Sequence, residues 1–277
     1  MAVMPKKKVE VHPVVAEMYE AACRARGRGK SHLYMSEIGH PCDRKLWLGF
    51  RGYPRAPLDG RLLLLFELGS MIEDQMVKWL NAAGYEVTCQ QESFVAHDGF
   101  FRGRGDGRVK NVTSREHILE VKSASASSFK AFVDHGVRKA KPQYYCQMQC
   151  YMGYSGLERA LFLVCNKNTS DVHVERIYFN RDDFQSLHER AKHIISLGSL
   201  PDKGEDCLWC DYATICDEPW NAVFKEPTCG SCVHFRAAHA GLACGHPLHP
   251  HGITAEMWGK RCDDWSLNRM GLCDVPF

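Results

Sequence analysis

Long apolar runs are missing from this chain. The longest, Leu62 to Phe66, is far too short to span a bilayer. A secretory leader is missing too: Lys6 to Lys8 bring charge to the N-terminus, but no apolar core follows them. Net charge is scarce. The formal value is +2, so any surface for a polyanion has to be local rather than global. Gly103, Gly105 and Gly107 alternate without the spacing or the strand-to-helix setting of a phosphate-binding loop. These absences set the expectation of a cytoplasmic protein with no membrane partner. Hydrophobic residues make up 45% of the chain and charged residues 25%, the balance of an ordinary globular protein. At 277 residues there is enough chain for one large domain, or for one domain plus a small appendage. Cysteine is the abundant residue, with 14 copies. Without a leader a disulfide framework is not expected, and metal binding becomes the leading explanation.

The stretch from Gly105 to Lys122 carries the most chemistry. Two β-like runs, around Asp106 to Val109 and Ile118 to Lys122, flank a polar turn, which is the pattern of a hairpin. Side chains alternate along a strand, so Glu120 and Lys122 share one face while Leu119 and Val121 point the other way. Asp106 on the partner strand reaches the face of Glu120. Two carboxylates and an amine at one spot suit a hard divalent cation and a nucleophilic water. Taken alone, the same residues would also describe an exposed hairpin with an ion pair.

Other elements follow in order. Val14 to Arg26 has a helical pattern, with Arg24, Arg26, Arg28 and Lys30 near its end; these suit a solvated helix end or phosphate contact. A lone Cys42 precedes the basic, amphipathic segment Asp43 to Trp47. Residues 61–83 form the clearest helix, with Leu62, Leu65, Phe66, Ile72, Met76 and Leu80 near helical spacing and Gly84 as a C-terminal cap. Within it Asp74 is expected to face solvent. Glu73 shares a face with Gly69, which leaves room beside its carboxylate. Tyr85 to Val95 and Phe100 to Lys110 read as strands, and the alternating glycines of the second allow close approach of a backbone or a ligand. A helix is expected over Phe129 to His135, followed by basic Arg138, Lys139 and Lys141. After Pro142, Gln143, Gln147 and Tyr151 stack on one ridge of a helix, a ridge suited to polar recognition rather than to a core. Cys146 and Cys150 beside it read as small buried hydrophobes. Ala160 to Cys165 and Val172 to Phe179 are strands, and Asp182 to Leu197 a helix capped by Asn180.

The cysteines fall into two groups. Cys207, Cys210 and Cys216 have the spacing Cys-x2-Cys-x5-Cys and need a fourth ligand from elsewhere; four thiolates suit either a [4Fe–4S] cluster or zinc. Cys229 and Cys232 form a Cys-x2-Cys knuckle that Cys244 and Cys262 complete as a zinc-site pattern, with His234 and His246 near enough to replace one thiolate. Cys23, Cys89, Cys165 and Cys273 have no partner pattern.

In this order — lone Cys, Gly-x3-Glu helix, Gly-Asp-Gly, Glu-x-Lys, Gln-x3-Tyr, then Cys-x2-Cys-x5-Cys — the chain resembles the PD-(D/E)xK nuclease superfamily. Within it the likeness is to RecB-like iron–sulfur exonucleases, the group of the CRISPR-associated adaptation nucleases and the AddB nuclease domain. The resemblance covers residues 31–220. It implies an α/β fold with a restriction-endonuclease-like αβββαβ core, a mixed sheet flanked by helices. It makes Asp106 and Glu120 metal ligands, Lys122 the residue beside the attacking water, and Gln147 and Tyr151 the motif that shapes the site. Cys42 would join Cys207, Cys210 and Cys216 around [4Fe–4S]. Glu73 stands where RecB-like members commonly have histidine; an oxygen ligand there suits Mg2+ or Mn2+, with the Val121 carbonyl as an additional ligand. Residues 1–30 are then a basic arm, and residues 221–277 a zinc-binding module outside the resemblance.

The function this implies is metal-dependent exonucleolytic hydrolysis of DNA, single-stranded or duplex with free ends, in phage or bacterial recombination and repair. A recombinase or single-strand-binding protein is the partner expected. A catalytically inactive DNA-binding scaffold and a redox-sensing iron–sulfur regulator are the alternatives.

Overall fold

A computed structural model describes residues 11–25, 32–205, 207, 210–219, 228–232, 235–238, 241–246, 251–258 and 262. The chain opens with helix α1 (Pro13–Ala25), strand β1 (Leu33–Tyr34), helix α2 (Asp43–Phe50) and the long helix α3 (Gly60–Ala82). Asp59 caps α3 by accepting a hydrogen bond from Arg61 N, and Gly84 follows the helix at φ +89°. Strands β2 (Val87–Thr88), β3 (Glu92–Ala96), β4 (Phe101–Gly105), β5 (Gly107–Val109) and β6 (His117–Ala124) come next. Helices α4 (Ala126–Ala140) and α5 (Pro142–Ser155), strands β7 (Arg159–Asn166) and β8 (Val172–Tyr178) and helix α6 (Arg181–Ser196) complete the main body. Asn180 caps α6 through Asp183 N, as its position predicts.

The result is a mixed α/β architecture. The central sheet runs β2-β5-β6-β7-β8, parallel between β6 and β7 and antiparallel elsewhere. A parallel neighbour needs a long crossover, and α4 with α5 supplies it. β6 and β7 are buried on both faces. On one face Leu119, Val121, Leu161 and Leu163 pack with Met76 and Val77 of α3. On the other Ile118, Ala124, Phe162 and Val164 pack with Phe132 of α4 and Met148 of α5. Alternation places Glu120 and Lys122 on this second face.

Two of the expected strands are each broken, and at the same place. The chain from 100 to 110 is not one strand: β4 pairs with β1 and β3 in a second sheet, β5 pairs with β2 and β6 in the central sheet, and Asp106 is the crossing point. Opposite it, Tyr85 to Val95 divides into β2 and β3 around a turn in which Cys89 (φ +50°) and Gln91 (φ +57°) adopt left-handed backbone. Each such residue costs about 1–2 kcal/mol when it is not glycine. Local alternation along either segment is β-like throughout, so nothing in it marks the change of sheet. Gly103 and Gly105 do admit close neighbours, but these are side chains. A Cβ at 103 would lie 2.5 Å from the Tyr151 ring, and one at 105 would lie 3.1 Å from Phe94.

Beyond α6, strands β9 (Phe235–Ala238), β10 (Gly241–Cys244) and β11 (His251–Gly252) form a small antiparallel sheet, followed by helix α7 (Ala255–Trp258). This part shares the main core. Trp258 is fully buried, stacks on Phe50 at 4.6 Å and donates from Nε1 to the Phe50 carbonyl at 2.9 Å. Arg51 donates to the Gly230 carbonyl and lies 3.8 Å from the Phe235 ring centroid. Among the described residues no helix is long and apolar enough to cross a membrane. Trp258→Ala removes both the stack and the hydrogen bond, so equilibrium unfolding in denaturant should show a loss of about 3–5 kcal/mol.

Candidate active site

Four elements deliver side chains to one spot. β6 carries Glu120, which has no exposed surface, and Lys122. Glu120 Oε1 accepts from Gln147 Nε2 of α5 at 2.8 Å and contacts the Lys122 ammonium. Glu120 Oε2 is buried with no hydrogen-bond partner among the described residues. At the sheet crossing Asp106, 7% exposed, accepts from Val121 N through Oδ2 at 2.7 Å, and the same oxygen lies 3.9 Å from Lys122 Nζ. Lys122 Nζ is also 3.3 Å from the Val121 carbonyl. From α3, half-buried Glu73 completes the group, with Oε1 accepting from Gln91 Nε2 at 2.8 Å. Asp74 is exposed, as its place on the helix predicts.

Gln147 and Tyr151 are not a surface ridge. They are 5% and 1% exposed, and each is satisfied internally. The Gln147 amide donates to Glu120 Oε1 and, at 3.1 Å, to the Tyr151 hydroxyl, which donates to the Arg104 carbonyl at 2.8 Å. An amide has two N–H donors, and both are used here. The Tyr151 ring stacks on Phe94 at 4.7 Å over the glycines of β4. Two contributors carry no sequence motif. Gln91 lies in an unremarkable polar turn, and the Tyr144 ring stands 5.5 Å from Lys122 Nζ and 6.0 Å from Lys141 Nζ.

Electrostatics follow from three carboxyls facing one ammonium. Burial first, and then Asp106, push the Glu73 carboxyl up to about 7. Burial pushes Glu120 up to about 8 against the pull of Lys122, with Asp106 adding to the rise. For Lys122 burial favours the neutral amine, but Glu120 and Asp106 outweigh it and hold the ammonium above its ordinary range. The donor set is oxygen, in excess of the one positive charge, with an unpartnered buried oxygen on Glu120; that is the chemistry a hard divalent cation satisfies. Among the described residues no three His, Cys, Asp or Glu side chains are drawn into one ligand shell. The Lys122 ammonium contacts Glu120 Oε1.

The cysteine groups are likewise assembled without closing into a ligand set. Cys42 caps the start of α2 and packs on Gly204, where an added Cβ would be 3.0 Å from its Sγ; Cys207 Sγ lies 3.3 Å from the Gly204 carbonyl. Arg44 holds the Pro201 and Cys216 carbonyls at 2.7 and 3.0 Å, and Cys210 N donates to the Cys207 carbonyl. In the second group Cys229 and Cys232 share one turn. Burial pushes the Cys229 thiol up to about 11, and the neighbouring Cys262, Cys232 and Cys244 add to the effect. His234 and Cys273 lie outside the described residues.

Glu73, Asp106 and Glu120 thus gather around one lysine where a strand changes sheets. Residues 70–158 match the family model of the YqaJ-like viral recombinase domain. That segment contains Glu73, Asp106, Glu120, Lys122, Gln147 and Tyr151 and neither cysteine group. No curated protein matches the chain significantly. Among solved structures the chain is similar to SSO0001, with 14% identity, a TM-score of 0.46, and coverage of 74% of this chain and 96% of that one. It is similar to an alkaline exonuclease from Laribacter hongkongensis, with 15% identity, a TM-score of 0.44 and coverage of 65% and 91%. A phage-related exonuclease from Haemophilus somnus 129PT has 17% identity and a TM-score of 0.39, with coverage of 60% and 92%.

Cation binding needs the ionised carboxyls. Since Glu73 and Glu120 are shifted upward to about 7 and about 8, Mg2+ or Mn2+ affinity should rise steeply from about pH 6 to about pH 9, with protons released on binding. Calorimetry in buffers of different ionisation heat measures both. In the cation-free protein the sign for stability is opposite. The raised carboxyls hold protons that the unfolded chain gives up earlier, so the fold loses stability as pH climbs from the ordinary glutamate range through those values.

Proposed function

We propose that this chain hydrolyses phosphodiester bonds in DNA, as a divalent-metal-dependent exonuclease serving phage-type recombination. The observation that carries the reading is the convergence of Glu73 from α3, Asp106 from the sheet crossing and Glu120 with Lys122 from β6, with an unsatisfied carboxylate oxygen on Glu120. The YqaJ-like match over the same residues supports it. Glu73, Asp106 and Glu120, with the Val121 carbonyl, are the groups that would hold Mg2+ or Mn2+. Such an ion, when bound, lowers the pKa of a water and offsets charge on the phosphorane-like transition state. Lys122 stays protonated, so its role is to stabilise the developing negative charge rather than to act as general base. Gln147 fixes the Glu120 carboxylate, and Tyr151 fixes Gln147 against the Arg104 carbonyl.

In the same reading Cys42, Cys207, Cys210 and Cys216 hold a [4Fe–4S] cluster that ties α2 to the segment after α6, and Cys229, Cys232, Cys244 and Cys262 hold Zn2+. The contacts of Cys42 and Cys207 with Gly204, and the electrostatic effect of Cys262, Cys232 and Cys244 on Cys229, support these assignments, and no catalytic step runs through them. The protein would act in the cytoplasm on DNA with free ends, beside a recombinase or a single-strand-binding protein.

The test compares linear and covalently closed DNA, single- and double-stranded, with Mg2+ or Mn2+. Loss of linear DNA alone, abolished by Glu120→Ala, is the expected result. Lys122→Met should lower kcat by about 10²–10³-fold while DNA binding persists. Binding without cleavage under every metal would replace the exonuclease with a DNA-binding scaffold. Degradation unaffected by Glu120→Ala would remove the assigned centre.

A further inference from the structure

The turn between β2 and β3 is a built feature of the centre. Thr88 is paired with Arg108 and Glu92 with Gly105, so Cys89, Gln90 and Gln91 stand opposite only Asp106 and Gly107. An extra residue on one strand bends it and re-aims a side chain. The geometry is fixed from both sides. Gly107 (φ +156°) has no Cβ, and one would lie 3.0 Å from the Thr88 carbonyl and 3.8 Å from Gln90 Cα. Just past the turn, Glu92 accepts from two nitrogens of Arg108, Nη2 at 2.6 Å and Nε at 2.8 Å. Gln91 is left in left-handed backbone at φ +57°, where glycine would sit without strain. Its side chain reaches across to α3, and its amide meets Glu73 Oε1 at 2.8 Å. Strain held beside a reactive centre is a pointer to function.

We propose that Gln91 is a positioning residue: the strained three-residue turn holds its amide against Glu73 and thereby sets that carboxylate towards Asp106 and Lys122 as the third oxygen of the cation site. The proposal rests on the metal-centre reading given above. Outer partners that orient a ligating carboxylate commonly change metal affinity by about 10–100-fold.

The test is Mn2+ titration of the free protein, without DNA, followed by calorimetry or by the resonance of unbound Mn2+. Gln91→Gly removes the amide and relieves the backbone, so its thermal midpoint should be equal to or above that of the wild type while Mn2+ binds about 10-fold more weakly. In a Glu73→Gln background the same change should cost no further affinity, because Gln91 acts through Glu73. Unchanged Mn2+ affinity in Gln91→Gly, with the wild type binding normally, would overturn the proposal. So would an equal loss in the Glu73→Gln background. A wild type that binds no Mn2+ would overturn the metal-centre reading beneath it and the proposal with it.

Discussion

A carboxylate with no exposed surface is several kcal/mol out of place unless its charge is answered, and Glu120 is such a group at the centre of the sheet. The surroundings are arranged around that one constraint. Lys122 answers the charge from the same strand face, and Gln147 answers it from α5. Tyr151 and the Arg104 carbonyl satisfy Gln147 in turn, which ties β6 to α5 and α5 to β4. What is left over is one oxygen, Glu120 Oε2, on a carboxyl that Asp106 and Glu73 both influence. Half-satisfied networks are costly in a protein interior. A network that a cation would complete converts that cost into binding.

The crossing between sheets explains why this cluster can exist inside a packed body. β6 and β7 need apolar cover on both faces, and α3 provides one side while α4 and α5 provide the other. A continuous strand from 100 to 110 would keep Asp106 within one sheet. Breaking it there turns the Asp106 carboxylate onto Val121 N, and the paired break at Cys89 to Gln91 brings an amide to Glu73. The two breaks are one event seen on neighbouring strands.

Much of this was legible in the residues. The hairpin, the shared face of Glu120 and Lys122, the long helix with Glu73 inward and Asp74 outward, and the cap at Asn180 all follow from period, capping and turn chemistry, which are local rules. The sheet crossing was not, because strand pairing is non-local and the alternation across Asp106 is uninterrupted. Burial of Gln147 and Tyr151 was hidden for a related reason: polar side chains read as surface until their partners are known, and those partners are 27 and 47 positions away. Gln91 carries no signal at all, since its role depends on a backbone angle. Cys42 and Cys207, which the family resemblance put in one group, each contact Gly204.

The stack of Trp258 on Phe50 has a meaning in time as well as in space. The hydrogen bond between them spans 208 positions. A ribosome adding about 5–20 residues per second needs about 10–40 s to make that stretch. During that interval the end of α2 exists without the tryptophan that stacks on it. Phe100, edge-on to Phe50 at 6.1 Å, is made about fifty residues after it, and Trp258 only at the end of the interval.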